Sequence, residues 1–208
     1  AHVFGPAIDT IQQEFADQPL TRAQLQLSLG EAMADAGLLD QAAKALSVAT
    51  EVFTAELGAD SPEALKSLYE EAGVAMDLGD LESAEAMVGF VLEGCDGAYS
   101  PDDAFTLRAR QALIGMKVSA AEVSDADIDA SEDLLKETNR AFGPEHELTL
   151  RAEFLVAGVL WRSGRTAEAR ALFKRSAESS TEVLGLEHEG TRLALTGYGA
   201  VLMELGEM

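Results

Sequence analysis

FGPEHELTLR, at Phe142–Arg151, decides the fold because it comes back as LGLEHEGTR at Leu184–Arg192. Gly143 and Gly185 lie forty-two residues apart, and so do His146 and His188. Weaker copies precede them, as LGADSPEAL at Leu57–Leu65 and DGAYSPDDAF at Asp96–Phe105. A second anchor recurs between these, as GLLDQAA from Gly37, GDLESAE from Gly79, GRTAEAR from Gly164 and a last glycine at Gly206. Its intervals are forty-two, eighty-five and forty-two residues. Self-similarity at a fixed period of this size is the mark of stacked structural repeats.

The segments between the anchors carry helical periodicity. Leu20, Ala23, Leu27, Gly30 and Ala34 predict a helix over 20–36 that ends at Gly37, which tolerates the left-handed conformation past a helix end. Ala42, Leu46, Ala49 and Phe53 predict its partner over 40–57. The remaining predicted helices are 61–78, 80–94, 101–118, 146–163, 166–184 and 188–205. Ser61-Pro62 and Ser100-Pro101 both read as an N-cap followed by proline at the first helical position. A shorter apolar-periodic lead-in, 1–18, ends at Asp17-Gln18-Pro19, where proline disfavours α conformation in Gln18. No stretch alternates as a strand between turn residues. The units are therefore 19–60, 61–100, 101–145, 146–187 and a partial 188–208. In the third, SAAEVSDADIDASED replaces the turn glycine, and the unit is expected to be three or four residues longer.

Gly30, Ala72, Ala157 and Gly199 stand seven residues before the turn glycines, while Ala42, Ala84 and Ala169 stand five after them. Small residues on both helices permit close antiparallel approach, and Leu46, Val88 and Phe173 fill the space beyond. This order resembles the tetratricopeptide repeat. The LG-x-x-H-x-x-T-L linker is similar to its forty-two-residue form, as in kinesin light chains. The resemblance implies an all-α, right-handed superhelix of about four and a half helix–turn–helix repeats, an interaction module that binds a protein or peptide along a concave face lined by the first helix of each unit. Within unit one, FADQPLTRAQLQLSLGEAMADAGLLDQAAKAL resembles the start of the repeat array that follows the kinase domain of certain bacterial serine/threonine kinases. That implies a fragment of a bacterial signalling protein, either cytoplasmic or the extracytoplasmic part of a membrane-anchored chain. Ala1 at the start and a partial unit at the end fit a piece of something longer.

Counted back from the turn glycines, the groove-facing positions implied by the resemblance are Lys66, Tyr69 and Met76 in unit two. In unit four they are Arg151, Phe154, Trp161 and Arg162, and Met203 follows in the last helix. Met116 is added from unit three. Aromatics and arginine carry interface energy, and methionine adapts to varied partners. The cations around Trp161 (Arg162 and Arg165, with Arg170, Lys174 and Arg175) offer a seat for an acidic side chain or a terminal carboxylate of a peptide, although Arg170, Lys174 and Arg175 are expected on the solvated outer face of the second helix. The competing expectation is a scaffold without a peptide ligand, either self-associating as a homodimer through the open C-terminal half-repeat or acting as a spacer.

Other chemistries find little support. A net charge of −22 opposes non-specific nucleic-acid or anionic-membrane binding. The 47% hydrophobic content is ample for a core, and no apolar run reaches eighteen residues. Asp125, Asp127 and Asp129 open like a calcium-binding loop, but Ala130 stands where its glycine belongs and Lys136 where its bidentate glutamate belongs. Acidic residues also favour the first turn of a helix, and that is the expectation here. Equivalence across repeats makes His146 and His188 structural rather than a ligand pair. Cys95 is the single cysteine, expected to be partly buried, and neither a phosphate loop nor a zinc-protease helix occurs. No catalytic residues, metal or cofactor are expected.

Overall fold

A computed structural model describes residues 11, 14–120 and 123–206; most of the lead-in lies outside them. The described residues contain nine α-helices and no strand. They are α1 (Pro19–Asp35), α2 (Leu39–Leu57), α3 (Pro62–Asp77), α4 (Leu81–Ala98), α5 (Ala104–Ala120), α6 (Asp125–Phe142), α7 (Glu147–Arg162), α8 (Thr166–Leu184) and α9 (Glu189–Leu205). The chain divides at Pro101/Asp102 into two compact units, each with its own core.

Within each unit, successive helices pack on one another because their turns repeat. At the end of α1, Gly37 takes φ +72° while its N–H reaches the Ala34 carbonyl and that of Leu38 reaches the Met33 carbonyl. Gly79 with Asp80 and Gly164 with Arg165 repeat this pair of bonds, which satisfies carbonyls that a helix end would otherwise leave open. The linkers between pairs use another glycine conformation. Gly58, Gly143 and Gly185 combine φ of +97°, +86° and +85° with an extended ψ, a region that is essentially glycine's alone.

The small residues work as expected where a neighbour is present. Ala42, Ala84, Ala157 and Ala169 are fully buried, and a Cβ on Gly30 would meet Leu46 Cγ at 2.6 Å. Gly199 has nothing within 4 Å of such a Cβ. The core of the first unit gathers Leu27, Met33, Leu46 and Phe53. That of the second gathers Leu107, Leu134, Leu160 and Phe173, with Phe154 and Trp161 packed edge-on against Phe173.

Four expectations need correction. The helix expected to stop at Gly94 runs on to Ala98, so Gly97 is helical, and Tyr99 with ordinary extended backbone takes the cap. Ser100-Pro101 does not open the helix: α5 begins at Ala104, and Asp103 Oδ1 accepts the Phe105 N–H at 2.8 Å. The residues before the first helices are thus Ser61, Asp103, His146 and His188, at intervals of 42, 43 and 42. Counted this way, the third repeat is longer by one residue, not three or four. Cys95 is fully rather than partly buried, packed in the first unit.

Candidate functional site

The corrected register aligns the first helices residue by residue. In α7, every position from Leu148 to Trp161 is buried or half-buried except Arg151. Its least covered stripe is Glu147, Arg151, Phe154, Trp161 and Arg162, one face of a helix at 3.6 residues per turn. The equivalent stripe of α9 contains Leu193, Thr196, Met203 and Glu204, of which Leu193 and Met203 are exposed apolar side chains. In α5 it contains Arg108 and Val118. Sequence counting missed Arg108, Val118 and Leu193; Asp103, forty-two residues after Ser61, was the cap that locates the first two.

Met116 is the candidate that this register removes. It aligns with Val74, Val159 and Val201, all buried, and is itself buried, so it presents nothing to a partner. The mistaken cap at Ser100 misplaced it; Val118 holds the position.

The other candidates in the second unit divide by their partners. Trp161 is half-buried: its ring meets Phe173 edge-on at 6.1 Å, and its Nε1–H donates to Glu204 Oε2 at 2.7 Å. Arg162 is exposed, but its Nε–H donates to the Val118 carbonyl at 3.0 Å. Both therefore tie helices together as well as lining the stripe, and Trp161→Ala would disturb the core. Arg108 and Arg151 are exposed cations without an ion pair among the described residues. Phe154 is half-buried against Phe173, its other edge toward a cavity of about 80 Å³. Leu150, Arg151, Phe154, Leu184, His188 and Leu193 are among the residues lining it. Gly190, where α7 has Leu148, leaves the notch.

In the first unit, Lys66 is exposed and pairs with Glu31 at 3.1 Å, a surface contact of small energetic weight. Tyr69 is half-buried and Met76 is exposed, so α3 presents the same stripe with one cation already engaged.

The residues set aside as structural have definite roles. His146 and His188 cap their helices, each Nδ1 accepting a backbone N–H two residues on, from Leu148 at 3.2 Å and Gly190 at 3.1 Å. The acidic run opens α6: Ser124 and Asp127 form a reciprocal capping box, and the Asp127 carboxyl is held below its usual range mainly by the Ser124 hydroxyl. Among the described residues, no cluster of three or more His, Cys, Asp or Glu is arranged to hold a metal. None of the described helices is long and apolar enough to cross a membrane.

Residues 148–208 match the family model described as tetratricopeptide repeat. The chain has the tetratricopeptide-repeat fold. Solved structures of similar shape include the nearly identical TPR-like repeats of a kinesin light chain from Podosopora anserina. One covers 89% of this chain and 87% of its own at 17% identity, with a TM-score of 0.71. A second from the same protein covers 91% and 89% at 17% identity, with a TM-score of 0.70. BtubC (BKLC) from P. vanneervenii covers 96% of this chain and 80% of its own at 12% identity, with a TM-score of 0.71. No curated protein matches the sequence. Tetratricopeptide repeats generally mediate protein–protein interaction, and the fold is typically non-catalytic.

Proposed function

We propose that the open stripe of α5, α7 and α9 binds a peptide segment carrying acidic residues beside an apolar anchor. The observation that carries this reading is the pairing of Arg108 and Arg151, exposed cations at equivalent positions of neighbouring helices, in a chain of net charge −22. Guanidinium groups bind carboxylates through two parallel hydrogen bonds, and Phe154, Leu193 and Met203 supply apolar surface nearby. A random-peptide display library is the direct test. Enrichment of acidic sequences that is lost in Arg108→Glu/Arg151→Glu, with helicity unchanged, supports the reading. Absence of enrichment, or equal enrichment in the variant, overturns it.

The open face of α9 favours a second reading, self-association. Leu195 and Leu205 are exposed there, Leu202 is half-buried where its α7 equivalent Leu160 is buried, and Gly199 faces open space. A mass that rises with concentration in the native chain and stays monomeric in Leu195→Glu supports a homodimer through this face; a monomer at all concentrations removes it.

The resemblance of 15–46 to the array after certain bacterial kinase domains extends the first reading. The chain is then the sensing or scaffolding arm of a larger signalling protein, and the coding sequence upstream of Ala1 tests that.

A further inference from the structure

The side of α7 away from the open stripe forms the floor of a niche between α6 and α8. The niche holds about 380 Å³ and is lined by Leu135, Lys136, Asn139, Pro144, Thr149, Leu150, Glu153, Arg175 and Ser179. Ligand cavities fall at and above roughly this size. Its chemistry is unusual for a helix junction. Glu153 is buried within it, 7% exposed, with one carboxylate oxygen bonded to Arg175 Nε. Thr149 is 5% exposed, and its hydroxyl has no hydrogen-bond partner among the described residues. A buried polar group left unmatched costs stability, so natural proteins leave few. The side chains of Asn139 and Ser179 make no hydrogen bond to the described residues.

The same backbone site in the first unit shows that none of this is required by the fold. Eighty-five residues earlier, Ala64 stands for Thr149, Leu68 for Glu153, Phe90 for Arg175 and Gly94 for Ser179. These residues line a niche of about 150 Å³ with no cation in its lining. The first niche is also lined by Thr50, Thr54 and the exposed acids Asp60 and Glu93, so the second unit differs in carrying two cations, a buried acid and an unmatched buried hydroxyl.

We propose that this niche binds a carboxylate group, seated between Arg175 and Lys136. Arg175 donates Nε–H to Glu153, so its terminal N–H groups remain for a planar oxyanion, and Glu153 beneath holds the guanidinium in place. Lys136, paired with exposed Asp133 at 2.8 Å, supplies the second cation. Asn139, Ser179 and Thr149 donate hydrogen bonds around it, and Leu135, Pro144 and Leu150 receive the carbon chain. The site lies off the peptide stripe and does not depend on it.

Succinate is the probe, titrated into the full chain while the Arg175 Nε–H and Asn139 amide signals are followed by NMR. Succinamide, neutral and of the same shape, is the control, and N-acetylglutamate N-methylamide presents the carboxylate as a protein side chain would. Saturable shifts with succinate, absent with succinamide, support a free small carboxylate as ligand. Shifts with the blocked glutamate alone place the carboxylate on a partner protein. In both cases Lys136→Gln and the charge-neutral pair Glu153→Gln/Arg175→Gln should weaken binding by about tenfold or more. Thr149→Val should weaken it less. No saturable shift with either carboxylate, equal shifts with succinamide, or unchanged binding in both charge variants overturns the proposal.

Discussion

The niche of Ala64, Leu68, Phe90 and Gly94 and that of Thr149, Glu153, Arg175 and Ser179 sit on the same backbone, and little else about them agrees. In the first unit, Phe90 is 65% exposed over a hollow without cations, and a Cβ on Gly94 would meet Leu65 Cδ2 at 2.5 Å. In the second, serine replaces that glycine and an ion pair reaches into the junction. A repeat fold asks for small and large residues at a few helix–helix positions and leaves the niche side chains free. The fold does not dictate these side chains, and the two units fill the same positions differently.

The comparison can be broken at the cores first. Phe173 and Val88 occupy equivalent positions, both nearly inaccessible. Phe173→Ala should destabilise the second unit by about 3–5 kcal/mol and Val88→Ala the first by about 2 kcal/mol, measured by urea unfolding. Equal costs would mean that the two cores are not packed alike. The niches come next. Arg175→Phe alone leaves Glu153 buried and unpaired and should cost about 3 kcal/mol, whereas Glu153→Leu/Arg175→Phe, which copies the first unit, should fall within about 1 kcal/mol of the parent. A double variant as unstable as the single would show that the niche is held by more than its charges.

Smaller effects separate the two kinds of glycine turn. Gly185→Ala forces a side chain into a region reserved for glycine and should cost about 2–3 kcal/mol, against about 1 kcal/mol for left-handed Gly206→Ala. The smallest effect is electrostatic and opposite in the two units. Burial raises the Glu71 carboxyl above its usual range, while the Ser124 hydroxyl bonds lower that of Asp127. Acidification from neutral should first relieve the cost of keeping Glu71 ionised. Only below the ordinary carboxylate range should it take away what ionised Asp127 contributes to the start of α6. Carboxyl chemical shifts followed with pH would show the two titrating on opposite sides of that range, or refute the assignment.

The helical pairs of units one, two and four were legible in the sequence because a positive-φ glycine marks each turn. The third repeat was not, for a physical reason. An N-cap needs only a side-chain acceptor near the first free N–H groups, and serine, aspartate and histidine all provide one. Ser100-Pro101 imitated Ser61-Pro62 while Asp103 did the work, and the three-residue error turned Met116 outward on paper. Arg151 and Phe154 were found from the turn glycines; the partners of Trp161 and Arg162, contributed by Glu204 and the Val118 carbonyl, depend on packing between distant segments that spacing does not encode. The charged niche was invisible for the same reason: Lys136, Glu153 and Arg175 are far apart in sequence and look like ordinary surface charges until α6, α7 and α8 converge.

The hydrogen bond from Trp161 to Glu204 has an optical consequence. Trp161 is the only tryptophan, and its indole N–H is held by the last turn of α9. Intrinsic fluorescence excited at the indole band therefore reports on the seating of one terminal helix, while circular dichroism averages over all of them. Fraying of α9 should move the emission to the red before the bulk helicity falls, and a partner that clamps α9 should delay that shift. The protein carries its own label at the edge of its candidate binding stripe.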